Sequence, residues 1–350
     1  MIELYNRISN ILDGIDFNSL WNGFHRYSFA LYNDKEVILN NNLFPYNERF
    51  IGNTAIEYDG EYIAIWNISD NDKDYEELAS NIIHEMFHAF QQEKNEERFP
   101  NDLVMLDYPN NLANYQIKWD ENNILAQIFQ TNDIAKKEKL FAQFVSMRKS
   151  RANLIGDIIL QEYLTETLEG IAEFVGTKAL QQISSTKYNA RVTKYCQALK
   201  TLDIDQFNIR RISYYSGALV GLAADDLKIS VRHEIGKTTT TFFELIASNF
   251  YRVEFDCTYD KQVASLFDIY TSTKKVKIDD FLSQHQNRIT GDFMICGYDP
   301  MNMIKSNNQI LCEHFAMLLD NTTNEVVQLF HPVLLEIKTD TTNMVSAYIH

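Results

Sequence analysis

The pattern of apolar and polar positions changes character twice along the chain. HRYSFALYN and EVILN carry short apolar runs of strand length, and TAIEYDGEYIAIWN alternates around Asp59-Gly60, a favoured two-residue turn. The first part is therefore predicted as strands, including a hairpin. From SDNDKDYEELASNIIHEMFHAFQQEKN onward the spacing becomes helical, with cap candidates at Ser69 to Asp72 and acidic residues in the first turn. ENNILAQIFQ, KKEKLFAQFVSMRKSRANLIGDIILQEYLTETLEGIAEFVGTKALQQI and RRISYYSGALVGLAADDLKI repeat apolar residues at helical intervals, so about residues 121–226 read as mostly helix. After Cys257 the pattern is mixed, and RITGDFMICGYDPMNM and NEVVQLFHPVLLEIKTDT read as strands joined by loops.

This order predicts an α+β chain. Residues 1–75 form a strand-rich part, 76–270 a helical part with an excursion at 96–150, and 275–350 a β-rich C-terminal region. With only 5 Pro and 12 Gly in 350 residues, few breakers interrupt the helices. A formal charge of −16 argues against nucleic acid and anionic lipid as partners. The N-terminus lacks a basic stretch followed by an apolar run, and no segment approaches the roughly 20 apolar residues of a membrane span. Cys196, Cys257, Cys296 and Cys312 are far apart, without CxxC pairing, and read as buried thiols in a reducing compartment. The expectation is a soluble cytoplasmic protein.

Candidate chemistry enters at NIIHEMFHAFQQEK, where His84, Glu85 and His88 form H-E-x-x-H. Positions four apart on a helix share a face, so both imidazoles can aim at one ion while Glu85 reaches a water beside it. The motif arises by chance in on the order of one chain in a hundred, so it is not decisive alone. A catalytic zinc also needs a third protein ligand and an open position. In LQEYLTETLEGIAEFVG, Glu162, Glu166, Glu169 and Glu173 are spaced 4, 3 and 4 and form one acidic stripe. The stripe is either a solvated face or a ligand source. Its apolar neighbours, and Gly170 and Gly176, which permit close packing, favour the second, because four buried carboxylates repel unless cations or donors stand nearby.

These residues resemble the gluzincin metallopeptidases, whose second zinc helix commonly reads N-E-G-F-A. Leu168-Glu169-Gly170-Ile171-Ala172 is similar and implies Glu169 as third ligand to one Zn²⁺, with Glu173 accepting a hydrogen bond from a ligating histidine. ISYYSGALVGLAADDLKI resembles the Y-E-K-G segment of the aminopeptidase-type members. That implies Tyr214 as the oxyanion donor, with Gly217 at the glycine and Tyr215 as the second choice. AADDLKISVRHEIGKTTTTFFELI is similar to the glycyl aminopeptidase branch. Thr54-Ala55-Ile56-Glu57-Tyr58-Asp59-Gly60 partly matches G-A-M-E-N-W-G, which implies Glu57 as an anchor for a substrate α-amine; the alternative is an ordinary exposed hairpin glutamate. The resemblance spans roughly residues 54–245. It implies a thermolysin-like zincin fold, a peptide or protein substrate, and Glu85 as the general base.

The chain departs from the family in two ways. QQEKN replaces the usual Gly-Asn step after the second histidine, and about eighty residues separate His88 from Glu169, which implies that the excursion at 96–150 caps the cleft. His233 is either a second transition-state donor or a structural histidine. Glu166 is either an outer group of the site or exposed. GKTTTT lacks the P-loop glycine at Val231, and no G-x-S-x-G is present. His314 and His331 have no metal-like spacing, and GYDPMNM (297–303) has no chemical assignment. The reading is a zinc-dependent peptidase, an aminopeptidase if Glu57 anchors the amine. The competing reading is an inactive gluzincin-fold binding or regulatory protein.

Overall fold

The computed structural model describes residues 1–68 and 74–350. The cap candidates Ser69 to Asp72 lie outside the described residues. The chain opens with two helices, α1 (Ile2–Asp13) and α2 (Phe17–Leu20), before its first strand. The strand-rich expectation for residues 1–75 overlooked them. IELYNRISNILD places Tyr5, Ile8 and Leu12 at helical spacing, and all three are buried in the main core.

Five strands follow: β1 (Phe29–Tyr32), β2 (Glu36–Leu39), β3 (Asn42–Pro45), β4 (Thr54–Tyr58) and β5 (Glu61–Asn67). They form one sheet in the order β3-β2-β1-β5-β4, with β1 parallel to β5 and the other pairs antiparallel. The expected β4–β5 hairpin turns at Asp59 and Gly60, whose φ values of 51° and 88° explain why this dipeptide stands there. β4 is thereby an edge strand.

The helical half comprises α3 (Tyr75–Glu93), α4 (Asp102–Met105), α5 (Leu112–Ile128), α6 (Ile134–Ile155), α7 (Ile159–Thr165), a π-helical turn at Glu166–Gly170, α8 (Ile171–Ile183), α9 (Ser185–Lys200), α10 (Ile209–Asp226) and α11 (Phe242–Ala247). α3 begins on Asp74, whose side chain accepts a hydrogen bond from the Glu77 amide, with Glu76 and Glu77 at the positive end of the helix dipole. α3 packs against β5, and α8 packs on both α3 and α10; Trp21 meets Phe87 of α3 and Phe174 of α8 edge-on. Glycines set these crossings. A Cβ on Gly170 would stand 2.7 Å from the Gly217 Cα, so α10 lies directly on the π turn; one on Gly176 would stand 3.3 Å from the His84 Cβ.

The excursion at 96–150 is a helical layer. α5 and α6 pack against each other inside the helical half, and Leu103 of α4 enters the core of the C-terminal sheet. α12 (Lys261–Gln284) crosses the expected boundary near 270–275. It is a largely polar bridging helix: Val263 and Phe267 pack on Tyr115 and Phe207, whereas Ile278 and Phe281 pack on Leu311, Leu334 and Ile349. The β-rich region therefore starts later, with β6 (Arg288–Tyr298), β7 (Met303–Ser306), β8 (Gln309–Cys312), β9 (Ala316–Asp320), β10 (Val326–Leu329), β11 (Val333–Ile337) and β12 (Met344–Ile349) in one antiparallel sheet ordered β10-β9-β6-β12-β11-β8-β7. The whole is α+β. Among the described residues no helix is long and apolar enough to cross a membrane. The cysteines are free, but only Cys312 is buried, while Cys257 and Cys296 are exposed on loop and sheet positions that no core covers.

Candidate metal centre

His84 and His88 lie one turn apart on α3, with rings 4.8 Å apart. His84 Nδ1 stands 3.0 Å from Glu173 Oε2, and His88 Nδ1 stands 2.7 Å from Gln91 Oε1. Each acceptor draws a proton to Nδ1 and leaves the Nε2 lone pair free. The two Nε2 atoms then converge, 3.1 Å apart, and Glu169 Oε2 sits 3.1 Å from that of His88 and 3.7 Å from that of His84. A tetrahedral ion with bonds of about 2.0–2.2 Å requires donor atoms about 3.3 Å apart, so these three atoms fit one. Glu85 also offers an oxygen: His84, Glu85 and His88 place donor atoms within 4.8 Å of one another. Glu169 is the better third ligand because its oxygen already lies between both imidazoles.

The electrostatics match a site built to hold positive charge. Burial works against charge on both histidines, but Glu169 and Glu173 outweigh it at His84, and Glu169 with Glu85 outweighs it at His88, so both pKa values are raised. Burial likewise works to raise Glu169, yet His88, His84 and Arg210 hold it well below the usual carboxylate range. Glu173 is pushed down to about 2 against burial, chiefly by its hydrogen bond to His84. Tyr195 also donates to Glu173. Glu85 is raised by burial, only partly countered by the two histidines, as suits a group that must take up a proton.

Tyr214 decides the choice between the paired tyrosines. Its ring lies parallel to that of His84 at 6.4 Å and lines the cleft, whereas Tyr215 stacks on Tyr195 at 5.1 Å away from it. Burial and the Glu169 charge push the Tyr214 hydroxyl well up, so it remains a donor. The cleft, of about 430 Å³, is lined further by Asn53 and Thr54 at the start of β4, Trp66 of β5, and Met301.

Two expected residues stand elsewhere. Glu57 is exposed at the far end of β4, beside the turn and paired with Tyr62, and does not line the cleft. The hairpin runs past the site, so only its first residues reach it. His233 packs edge-on to Trp21 at 5.3 Å, with Nε2 2.8 Å from an Arg98 nitrogen; burial and that charge lower its pKa to about 4. Its ring is engaged by Trp21 and Arg98 and does not line the cleft. No residue of the 96–150 excursion lines the cleft either; Met301, from the C-terminal region, occupies that side.

The acidic stripe divides. Glu162 and Glu166 are fully buried but turn away from the histidines. Glu162 receives Lys118 at 2.5 Å and Arg151 at 2.7 Å, and Glu166 receives Arg148 and Ser216. Glu166 is therefore neither exposed nor part of the metal site. The π turn between Thr165 and Ile171 shifts the helix phase, which separates the stripe into two faces. Gln91, Tyr195 and Arg210 escaped sequence reasoning. Gln91 carries a signal, since it stands three residues after His88 on the same face, and it also donates to the Leu168 carbonyl at 3.1 Å. Arg210, bonded to Asp102 and 3.2 Å from Glu169 Oε1, carries none, being 41 residues from Glu169. The chain matches no family model, no curated protein and no solved structure.

Proposed function

We propose that the protein is a zinc-dependent peptidase of gluzincin type, with a thermolysin-like arrangement of an N-terminal sheet over two zinc-binding helices. The carrying observation is the convergence of His84 Nε2, His88 Nε2 and Glu169 Oε2 on one point, with Glu85 and Tyr214 beside it. His84, His88 and Glu169 would hold the zinc, which would supply a Lewis acid and a water acidic enough to react near neutral pH. Glu85, which lines the cleft beside the histidines, is placed to take a proton from the attacking water and to return it to the leaving amine. Tyr214 donates its O–H to the oxyanion as the carbonyl becomes tetrahedral. Glu173 and Gln91 hold the imidazoles in the ligating tautomer, and Arg210 keeps Glu169 ionised. The edge strand β4 begins at the cleft, and its free backbone groups suit pairing with an extended peptide.

The position of Glu57 turns the reading away from N-terminal trimming by that residue and toward cleavage within a peptide or near its C-terminus. The test is a peptide-library digest with zinc-loaded wild type and Glu85→Gln, alongside metal analysis. The expected result is cleavage by wild type, none by Glu85→Gln, and about one zinc per chain in both. A protein that cannot be loaded with zinc defeats the site, and full activity in Glu85→Gln defeats the base assignment.

A further inference from the structure

A second cavity, of about 350 Å³, opens between the helical half and the C-terminal sheet. It is lined by Asp102 and Met105 of α4 with Phe207 and Arg210, and by Lys274 and Lys277 of α12 with Pro300 to Asn302 and the start of β7. Met301 lines both this cavity and the metal cleft, and Arg210 lines the cavity while bonding Glu169, so the two spaces adjoin. Their charges are opposite. Among the described residues the metal cleft is lined by Glu85, Glu169 and Glu173 with no lysine or arginine. The cavity is lined by Arg210, Arg211, Lys274, Lys277 and Lys305 against Asp102, Asp205 and Glu313.

Four of these cations already have carboxylates. Arg210 bonds Asp102, Arg211 Asp205 at 3.1 Å, Lys277 Glu313 at 2.8 Å and Lys305 Asp107 at 2.6 Å. Lys274 forms no ion pair among the described residues; its ammonium lies 4.1 Å from the centre of the Tyr270 ring. In a chain of charge −16, a carboxylate is disfavoured over most of the surface and favoured beside this free cation. Met105, Tyr115 and Phe207 line the same cavity and reduce screening of the interaction.

We propose that this cavity is a subsite for a carboxylate of the peptide whose scissile bond lies in the metal cleft, with Lys274 as its cation. The proposal rests on the peptidase reading. The carboxylate is an acidic side chain or the free C-terminus of the peptide. The GYDPMNM loop is then the wall that makes cleft and subsite one binding surface.

Four peptides of one sequence, with an internal Glu or Gln and a C-terminal carboxylate or amide, separate these sources. Their equilibrium binding is measured on zinc-loaded Glu85→Gln protein, alone and combined with Lys274→Gln, Lys274→Arg or Lys275→Gln, and their cleavage on wild type. Lys275 is exposed and outside the lining, so its variant controls for net charge. One carboxylate peptide is expected to bind about five-fold more tightly than its neutral counterpart. Lys274→Gln should erase that preference, whereas Lys274→Arg and Lys275→Gln should keep it. The pair showing the preference names the source. Equal binding of all four, or a preference surviving Lys274→Gln, overturns the subsite. Preference without wild-type cleavage keeps the subsite and removes the peptidase reading, and cleavage without preference does the reverse. Peptides neither bound nor cut remove both.

Discussion

Glu162 and Glu166 precede Glu169 and Glu173 by about two turns along one helical run, yet the two pairs meet different partners. The first pair faces permanent cations. With Glu121 they make three carboxylates against Lys118, Arg148 and Arg151, all fully buried or nearly so. Burial alone would raise Glu162, but Arg151, Lys118 and Arg148 hold it well below the usual range. Tyr108 donates to Glu162 at 3.0 Å and accepts from Arg151 at 2.7 Å. The second pair faces imidazoles, which can give up their protons; Arg210 meets only Oε1 of Glu169 and leaves Oε2 to the histidines. The difference teaches how a buried carboxylate becomes structural or chemical. A guanidinium cannot release its charge, so Glu162 and Glu166 are closed to an ion. A histidine can, so Glu169 and Glu173 remain open to one.

Breaking the closed half should do the greatest damage. Glu162→Gln leaves Arg151 and Lys118 short of a buried counter-charge, and is expected to cost about 3–5 kcal/mol of folding stability. Urea unfolding measures it, and the protein that remains folded should still bind one zinc. A loss of zinc at unchanged stability would erase the distinction between the halves. Next in size is Glu169→Gln, which removes the only charged ligand of the proposed set. Zinc affinity is expected to fall by more than about 100-fold, read by competition with a chromogenic chelator. If zinc remains as tightly held, Glu85 is the third ligand. The smallest change, Gln91→Ala, frees the His88 ring from its Nδ1 partner. It should weaken zinc about 10–100-fold with little change in the unfolding midpoint. An unaltered affinity would mean that packing alone orients His88.

Local periodicity carried much of the architecture. The β4–β5 hairpin, α3, the helices between about residues 121 and 226, and β6, β10 and β11 follow from local apolar patterns and from turn residues such as Asp59-Gly60, whereas β8, β9 and β12 were not read. His84, Glu85 and His88 were legible for the same reason, because one turn of helix suffices to place them. α12 was misjudged at its boundary because its buried positions serve two different cores and leave only a thin apolar stripe. The two readings of Glu57 stayed open in the sequence because a motif match over seven residues says nothing about where a hairpin ends relative to a cleft.

The division of the acidic stripe lay beyond any local pattern. Spacing of 4, 3 and 4 puts all four carboxylates on one face of an ideal α-helix, and only the π turn, set where Gly170 meets Gly217, turns Glu169 to the histidines. Arg148 and Arg151 reach Glu162 and Glu166 from another helix, and Arg210 and Met301 come from farther along the chain. Residue spacing encodes what a helix or strand does within its own hydrogen-bond pattern. Which buried charge meets a fixed cation, and which meets a histidine, depends on how distant helices cross, and that is settled by close packing over the whole core.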